Sequence, residues 1–312
     1  MKNLPPYTAV IRTLGKAGTK YQVLLNSLIN QTHKPSRIIV YLADGSDIPK
    51  ETVNEEKIVF VPKGMVAQRA LQYKEVDTEW MLFLDDDMSI EPNGVETIFT
   101  DTLLAGADVC AIDGFPHHKL SFRTKLGMML MLGSLPRLRN RSKGYTIDCL
   151  GIEKYNPNPI KSYAWSTTNS GNAFLCKKSN FLKINFHEDL WLDEAPYAYP
   201  EDRVMFYKMH LAKLKILTHY KSGFTHLDAK SSLNQNKYAK MMYSAGRNEI
   251  IFNGLYFEPS LNFPQKIAFN IISAYKFTIQ YLSFLFRQTK GDNVLPCWME
   301  GRKDGKNYLK QL

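Results

Sequence analysis

The sequence predicts an α/β domain built on a mixed, mainly parallel sheet flanked by helices, with a helical C-terminal extension, and three observations carry that prediction. Apolar runs at 38–42, 58–61 and 80–84 have the length of buried strands and are separated by helix-like or turn-rich stretches. Between the first two strand candidates, Tyr21, Leu24, Leu25, Leu28 and Ile29 recur at the spacing of one helical face. The run Trp80–Leu84 ends in Asp85, Asp86 and Asp87, so acid stands where a strand buried on both faces meets solvent.

Taken in order, Val10 and Ile11 begin a first short strand, and the amphipathic helix over 21–29 follows it. Ile38–Leu42 is the second strand, closed by the turn residues Asp44, Gly45 and Ser46. Ile58–Val61 reads as a third strand, Gly64 to about Lys74 as a helix, and Trp80–Leu84 as the fourth strand. Right-handed β-α-β crossovers return each strand in the same direction, so Thr13, Ala43-Asp44, Pro62-Lys63 and Asp85–Asp87 share one sheet edge. Ligands of open α/β sheets collect at that edge.

Residues 117–160 break the alternation. Lys119, Arg123, Lys125, Arg137, Arg139, Arg141 and Lys143 surround the apolar stretch 128–132, which reads as a basic insertion. Order resumes at Ser170–Leu175, a helix follows Pro200 with Val204, Tyr207, Leu211 and Leu214 on one face, and a strand is expected over 214–217. From about Pro264 the tail is aromatic and apolar, but Asn270, Lys276 and Gln280 interrupt it, which argues against a membrane-spanning helix.

Composition narrows the setting. A hydrophobic content of 44% over 312 residues is ample for a packed core. Four scattered cysteines without a C-x-x-C pair argue against a thiolate metal site or a secreted disulfide framework. The start of the sequence has no apolar run of signal-peptide length, so a cytoplasmic setting is expected. The net charge of +10 implies an anionic partner: nucleic acid, a membrane surface or a phosphorylated substrate.

The carboxylates at the end of the fourth strand suit Mg²⁺ or Mn²⁺, hard cations that proteins hold through one or two carboxylates while substrate phosphates fill other positions. An acidic turn capping a strand is the plain alternative.

In its arrangement the sequence resembles the family 2 inverting glycosyltransferases of the GT-A fold. The residues that carry the resemblance are Ser27–Thr32 in the first helix, Asp44-Gly45-Ser46 after the second strand, and Gly64 to Arg69. Phe83–Asp87 matches the D-x-D element, Pro200-Glu201-Asp202 the Glu-Asp motif, and Thr225-His226 the position of a late metal-binding histidine. The resemblance covers most of residues 7–228 and implies transfer of a sugar from a nucleotide-diphosphate donor, with UDP the default, to an acceptor hydroxyl. Two departures stand out. Ala43 replaces one of the two acids that commonly precede Gly-Ser, and Arg12-Thr13 replaces the frequent Pro-Thr, placing an extra cation near the donor.

By this resemblance, residues 1–116 form the nucleotide-sugar-binding half, 161–230 the acceptor-side half, and 231–312 a helical extension. Asp87 is then the direct metal ligand, with His226 a second ligand or a diphosphate contact. Thr13, Asp44, Arg69, Asp85 and Asp86 lie at the donor. Asp202 is the general base, with Asp189 and Glu194 as substitutes, and Glu201, Trp165 and Trp191 face the acceptor. Each role has a structural competitor: helix capping for Glu201 and Asp202, a surface position for Arg69 and His226, core packing for at least one tryptophan. The implied setting is polysaccharide or glycolipid synthesis, the acceptor a saccharide or lipid-linked saccharide. The basic insertion and the tail, through Phe269, Ile272, Phe277, Leu285 and Phe286, would touch the anionic inner face of the cell membrane.

Two other classes compete. A nucleotidyltransferase would use the same metal and carboxylates, but Gly15–Gly18 is only a faint phosphate loop. A nucleic-acid-binding protein would interleave basic and aromatic residues on one surface, whereas here the cations gather in the insertion and tail, so no nucleic-acid partner is expected.

Overall fold

The computed structural model describes residues 4–114, 122–132, 143–156, 161–169, 171, 173–227, 235–288 and 293–312. The chain begins with β1 (Tyr7–Thr13), α1 (Thr19–Ile29), β2 (Arg37–Ala43), β3 (Glu56–Val61), β4 (Trp80–Asp85) and β5 (Met88–Ile90). It continues with α2 (Gly94–Ala105), β6 (Val109–Ile112), α3 (Phe122–Leu130), β7 (Thr146–Ile147), β8 (Glu153–Lys154), β9 (Tyr163–Ser166), β10 (Ala173–Lys177) and α4 (Lys178–Leu182). After a 3₁₀ segment at Phe186–Leu192 come α5 (Glu201–Leu211), β11 (Ile216–His219), β12 (Phe224–His226), α6 (Gln235–Phe252), α7 (Phe263–Gln288) and α8 (Val294–Gln311).

Eight strands form one sheet in the order β3-β2-β1-β4-β10-β6-β11-β9. β1 lies parallel between β2 and β4, with Val10 opposite both Ile39 and Phe83. β10 runs antiparallel between β4 and β6, β11 is parallel to β6, and β9 closes the edge antiparallel. The result is the mixed, mainly parallel sheet that the apolar runs imply. Alternate residues of β1 supply both sides of it. Tyr7, Ala9 and Ile11 pack with Leu24, Leu25 and Leu28 of α1 and Phe99 of α2, whereas Val10 joins Phe83, Phe174, Val204 and Phe206 on the other face. There Phe83 and Phe174 stack at 4.3 Å across the β4–β10 pair.

Several expected elements take a different form. Residues 64–71 make a succession of turns where a helix is expected. The Asp193 carboxylate accepts from the Val66 and Ala67 amides at the head of this segment, and a Cβ on Gly64 would stand 2.2 Å from its Oδ2. Tyr73, at φ 50°, adds a left-handed residue that a helix interior excludes. The strand expected over 214–217 runs from Ile216 to His219, because α5 stops at Leu211 and Lys213 turns left-handed at φ 63°. Leu214 therefore packs into the core from beyond the helix it was assigned to.

In the insertion, α3 and the β7–β8 pair are described. Lys119, Arg137, Arg139, Arg141 and the side chain of Arg123 lie outside the described residues, as do Ser170 and Asn172. The extension consists of α6 and α8 packed closely together, with α7 across them. Gly301 and Gly305 allow that approach, since a Cβ on Gly301 would meet the Tyr243 carbonyl oxygen at 2.1 Å. Trp298 packs between Phe277 and Phe284. Among the described residues no helix is long and apolar enough to cross a membrane. Two residues expected at a lipid interface turn inward, Phe269 onto Phe257 and Phe277 onto Trp298. The outward face of α7 carries Phe263, Ile267, Ile271, Leu282, Leu285 and Phe286.

Candidate active site

The site forms where the parallel strands end. β1 delivers Arg12 and Thr13, β4 delivers Asp85, and the turn into β5 carries Asp86 and Asp87. β12 pairs antiparallel with β5 and sets His226 opposite Met88, which brings His226 Nε2 to 3.2 Å from Asp87 Oδ2. From the other face of the sheet, the first turn of α5 presents Glu201 and Asp202.

Two arginines tie these pieces together. Arg12 donates from Nε to Asp85 Oδ1 at 2.5 Å, from Nη2 to Asp85 Oδ2 at 3.2 Å, and from Nη2 to Glu201 Oε1 at 3.3 Å. Arg69 donates from Nη1 to Asp202 Oδ1 at 2.5 Å and from Nη2 to Asp85 Oδ1 at 3.3 Å. Arg69 is buried, with its own carbonyl accepting from the Tyr73 hydroxyl at 2.6 Å, and the turn that carries it is the one Asp193 secures. The guanidinium that reads as a surface group or donor contact is thus the internal link between the β4 and α5 carboxylates. Pairing of this kind offsets the cost of burying charge.

The surroundings separate the acids electrostatically. Burial pushes Asp85 up, but Arg12 and Arg69 overcome it and hold the carboxyl below its ordinary value. Asp86 is raised to about 6, by burial first and then by Asp85 and Asp87, against the hydrogen bond it accepts from Thr13. Glu201 is raised to about 7 by burial and by Asp202, with Arg12 and Arg69 opposing.

Beside this network opens a cleft of about 730 Å³, within the range of small-molecule sites. Asp85, Asp86, Asp87 and His226 line it together with Thr13 and Gln68, and Lys16 and Lys63 add positive charge to its wall. Gln68 holds the wall in place by donating to the carbonyls of Thr13 and Tyr41 at 2.9 and 3.0 Å. Among the described residues no group of three or more His, Cys, Asp or Glu side chains is placed to hold a metal ion. The Asp87–His226 pair nonetheless fits a metal that completes its shell with water and phosphate. Two donors about 2.1 Å from one ion at a right angle lie about 3.0 Å apart, close to the 3.2 Å between Oδ2 and Nε2.

Other sequence-derived candidates lie elsewhere. Asp44 is exposed after β2 and stands outside the cleft wall. Trp165 is on the edge strand β9, four strands from β4 and so about 19 Å across the sheet. Trp191 is buried against Tyr308, its indole N–H donating to Asp189. The substitute bases are structural: Asp189 is fully buried and accepts from Lys208 and Tyr256, and Glu194 pairs with Arg247. Gln68 and Asp193 were not anticipated. No local pattern marks either one, since each acts on backbone groups far away in sequence.

No protein-family model matches the chain, and no curated protein matches it by sequence. Its fold has solved counterparts. One is the crystal structure of GalNAc-T7 with UDP, GalNAc and Mn²⁺, similar at a TM-score of 0.53 and 11% identity. The fold is of the GT-A type. The match takes in 89% of this chain and 56% of that one, so the chain spans little more than half of its structural neighbour. At that identity the likeness establishes architecture.

Proposed function

We propose that the protein is a metal-dependent, inverting glycosyltransferase of the family 2 type, using a nucleotide-diphosphate sugar, with UDP the favoured nucleotide. One observation carries the reading. The carboxylates ending β4 and the Glu201-Asp202 pair, 116 residues apart between Asp85 and Glu201, meet through Arg12 and Arg69 at the edge of a GT-A sheet. The neighbour's UDP and Mn²⁺ support the same donor chemistry.

Asp87 and His226 would hold the divalent ion, Mn²⁺ or Mg²⁺, which when bound neutralises charge developing on the leaving diphosphate. Lys16 and Lys63 add fixed positive charge along the same cleft. Thr13 and Asp86 border the nucleotide. Asp85 is bound to both arginines and keeps them in position.

In the reaction the acceptor hydroxyl gives its proton to Asp202 as its oxygen bonds to the anomeric carbon. The bond from that carbon to the phosphate oxygen breaks on the opposite side, and its electron pair leaves with the nucleoside diphosphate. This single displacement inverts the centre. Arg69 engages Oδ1 of Asp202, and Oδ2 is the assigned proton acceptor.

The same proposal places the protein against an anionic membrane surface, on the cytoplasmic face, as a peripheral protein of surface-glycan or glycolipid synthesis. Residues 114–147 and 259–291 contain no Asp or Glu, and among their described residues α3 meets α7 where Tyr275 donates to the Leu130 carbonyl at 2.9 Å. Phe122 and Met129 of α3 and the outward apolar residues of α7 are exposed side chains of the kind an interface takes up.

The test is thermal stabilisation of the full chain by a panel of nucleotide-sugars with and without Mn²⁺. Stabilisation by a UDP-sugar that requires the metal supports the proposal. A panel in which no nucleotide-sugar shifts the melting point sinks it.

A further inference from the structure

A second cavity, of about 460 Å³, is lined by α6, α7, α8 and the segment that leads into α5. Four cations and three acids stand in its wall. Arg203 is taken up by Glu153, and Lys276 donates to the Gly151 carbonyl at 3.2 Å. Arg302 is different. It lies across the Phe277 and Trp298 rings, 5.1 and 5.0 Å from their centroids, with its side chain 19% exposed. The acid it faces, Glu249, is 3.7 Å away, beyond hydrogen-bond reach, and among the described residues the guanidinium donates to nothing. Unlike Arg203 Nε, no nitrogen of Arg302 is both unpaired and sealed off, so its donors remain open to the cavity.

Electrostatics points the same way. Burial outweighs Glu249 and holds Arg302 below its ordinary pKa, whereas at Arg203 burial is overcome by Glu153 and the value is raised. A buried cation short of counter-charge is stabilised by an anion beside it. Four residues on along α8, and so on the same helical face, exposed Lys306 lines the same cavity. From this basic end the cavity runs along α7. Phe277 packs on Trp298 beside Arg302, and Phe269, two turns earlier on α7, packs on Phe257. The rise between those two positions is about 12 Å. Phe252, Phe257, Phe269 and Leu309 line that interval, and a π turn over Asn253–Phe257, a distortion frequent at functional sites, forms part of its wall. The third acid, Glu258, follows Gly254, which packs on Leu309 about two turns past Arg302, so it stands at the far end.

We propose that this cavity is a stoichiometric site for an anionic amphiphile that is not a substrate, with its acid group on Arg302 and Lys306 and its chain laid along the phenylalanines toward Phe257. An acid head accepts from a guanidinium fork through two oxygens, a geometry a neutral head does not match. The chain covers apolar surface that water otherwise wets. The inference goes beyond the transferase reading and does not rest on it. Asp202 is held by Arg69 and is absent from this wall, so a molecule bound here is not placed to give up a proton to it. It also differs from attraction to a membrane surface, since it requires one ligand per chain inside the fold.

Calorimetry on the full chain tests this with decanoate and decyl phosphate below their aggregation concentrations. Decyltrimethylammonium supplies the same chain with a cationic head, and inorganic phosphate supplies a head without a chain. One decanoate or decyl phosphate is expected to bind per protein, at least tenfold more tightly than either control. Arg302→Gln should lose tenfold or more of that affinity, whereas Lys310→Gln, an exposed cation of α8 outside the cavity, should stay within twofold of wild type. Ser273→Trp fills the cavity from α7 while keeping every charge, and should also lose tenfold, which keeps the test decisive where Arg302→Gln does not fold. Far-UV circular dichroism and melting points of the ligand-free proteins control for folding. Tighter binding of decyl phosphate supports the proposal with a lipid phosphate as the head, and tighter binding of decanoate supports it with a fatty acid. Absence of saturable binding of both acids, equal affinity for decyltrimethylammonium, or unchanged affinity in folded Arg302→Gln or Ser273→Trp overturns it.

Discussion

Arg69 Nη1 lies 2.5 Å from Asp202 Oδ1, so the proposed base is held by a buried cation on a turn 133 residues earlier in the chain. The same guanidinium reaches Asp85 at 3.3 Å, and Arg12 repeats the pattern between Asp85 and Glu201. The acids from β4 and α5 are thereby set at fixed separations before any ligand arrives.

Replacing Arg69 by Met should destabilise the fold by about 3–5 kcal/mol, because it strands two carboxylates in a buried network. Arg69→Lys keeps the charge without the planar fork and should recover only part of the loss. Urea unfolding of both variants checks the order. Equal stability of Arg69→Met and wild type would show that the network carries no net free energy.

Asp87→Ala should abolish the metal dependence of donor binding, and a chelator should do the same to wild type. Calorimetry with UDP in the presence and absence of Mn²⁺ reads this directly. Full activity in a verified metal-free preparation would refute the metal assignment.

Asp202→Asn should lower turnover by about 10²–10⁴-fold while donor affinity holds, as expected for loss of a general base. Turnover within a few-fold of wild type would remove Asp202 from that role. Neither Asp189 nor Glu194 would then replace it, given their structural partners.

The pH dependence of stability follows from Glu201, raised to about 7 against an ordinary 4.5. Between those values the native state binds more protons here than the unfolded chain, so this residue lowers stability as pH rises from about 4.5 to about 7. Glu201→Gln, neutral throughout, should flatten that decline in unfolding midpoints taken at pH 5, 6 and 7. A variant whose midpoints fall as steeply as those of wild type would remove Glu201 as the source.

Phe263, Ile271 and Leu282 are 76%, 64% and 54% exposed, so their joint replacement by Ser leaves the packed faces of α7 intact. Full-length protein should float with anionic vesicles at low salt, and the triple variant should stay in solution. Equal flotation of both, or of neither, would rule out α7 as the attachment surface.

The sequence by itself marked the first four strands and the acidic edge where the fourth of them ends. A strand buried on both faces is an unbroken apolar run, so 38–42 and 80–84 announce themselves, and the acids after Leu84 mark where one of them surfaces. That information is local. The roles of Arg12, Arg69, Gln68 and Asp193 were decided by tertiary structure alone, since each makes its defining contacts with groups 16 to 189 residues away. The turns at 64–71 have the composition of a helix start, yet Tyr73 follows them left-handed at φ 50° and the Asp193 carboxylate holds the Ala67 amide from 126 residues away. Trp191 and Trp165 carry the same side chain, yet one lies in the core and the other on an edge strand, because burial depends on which faces the whole chain brings together.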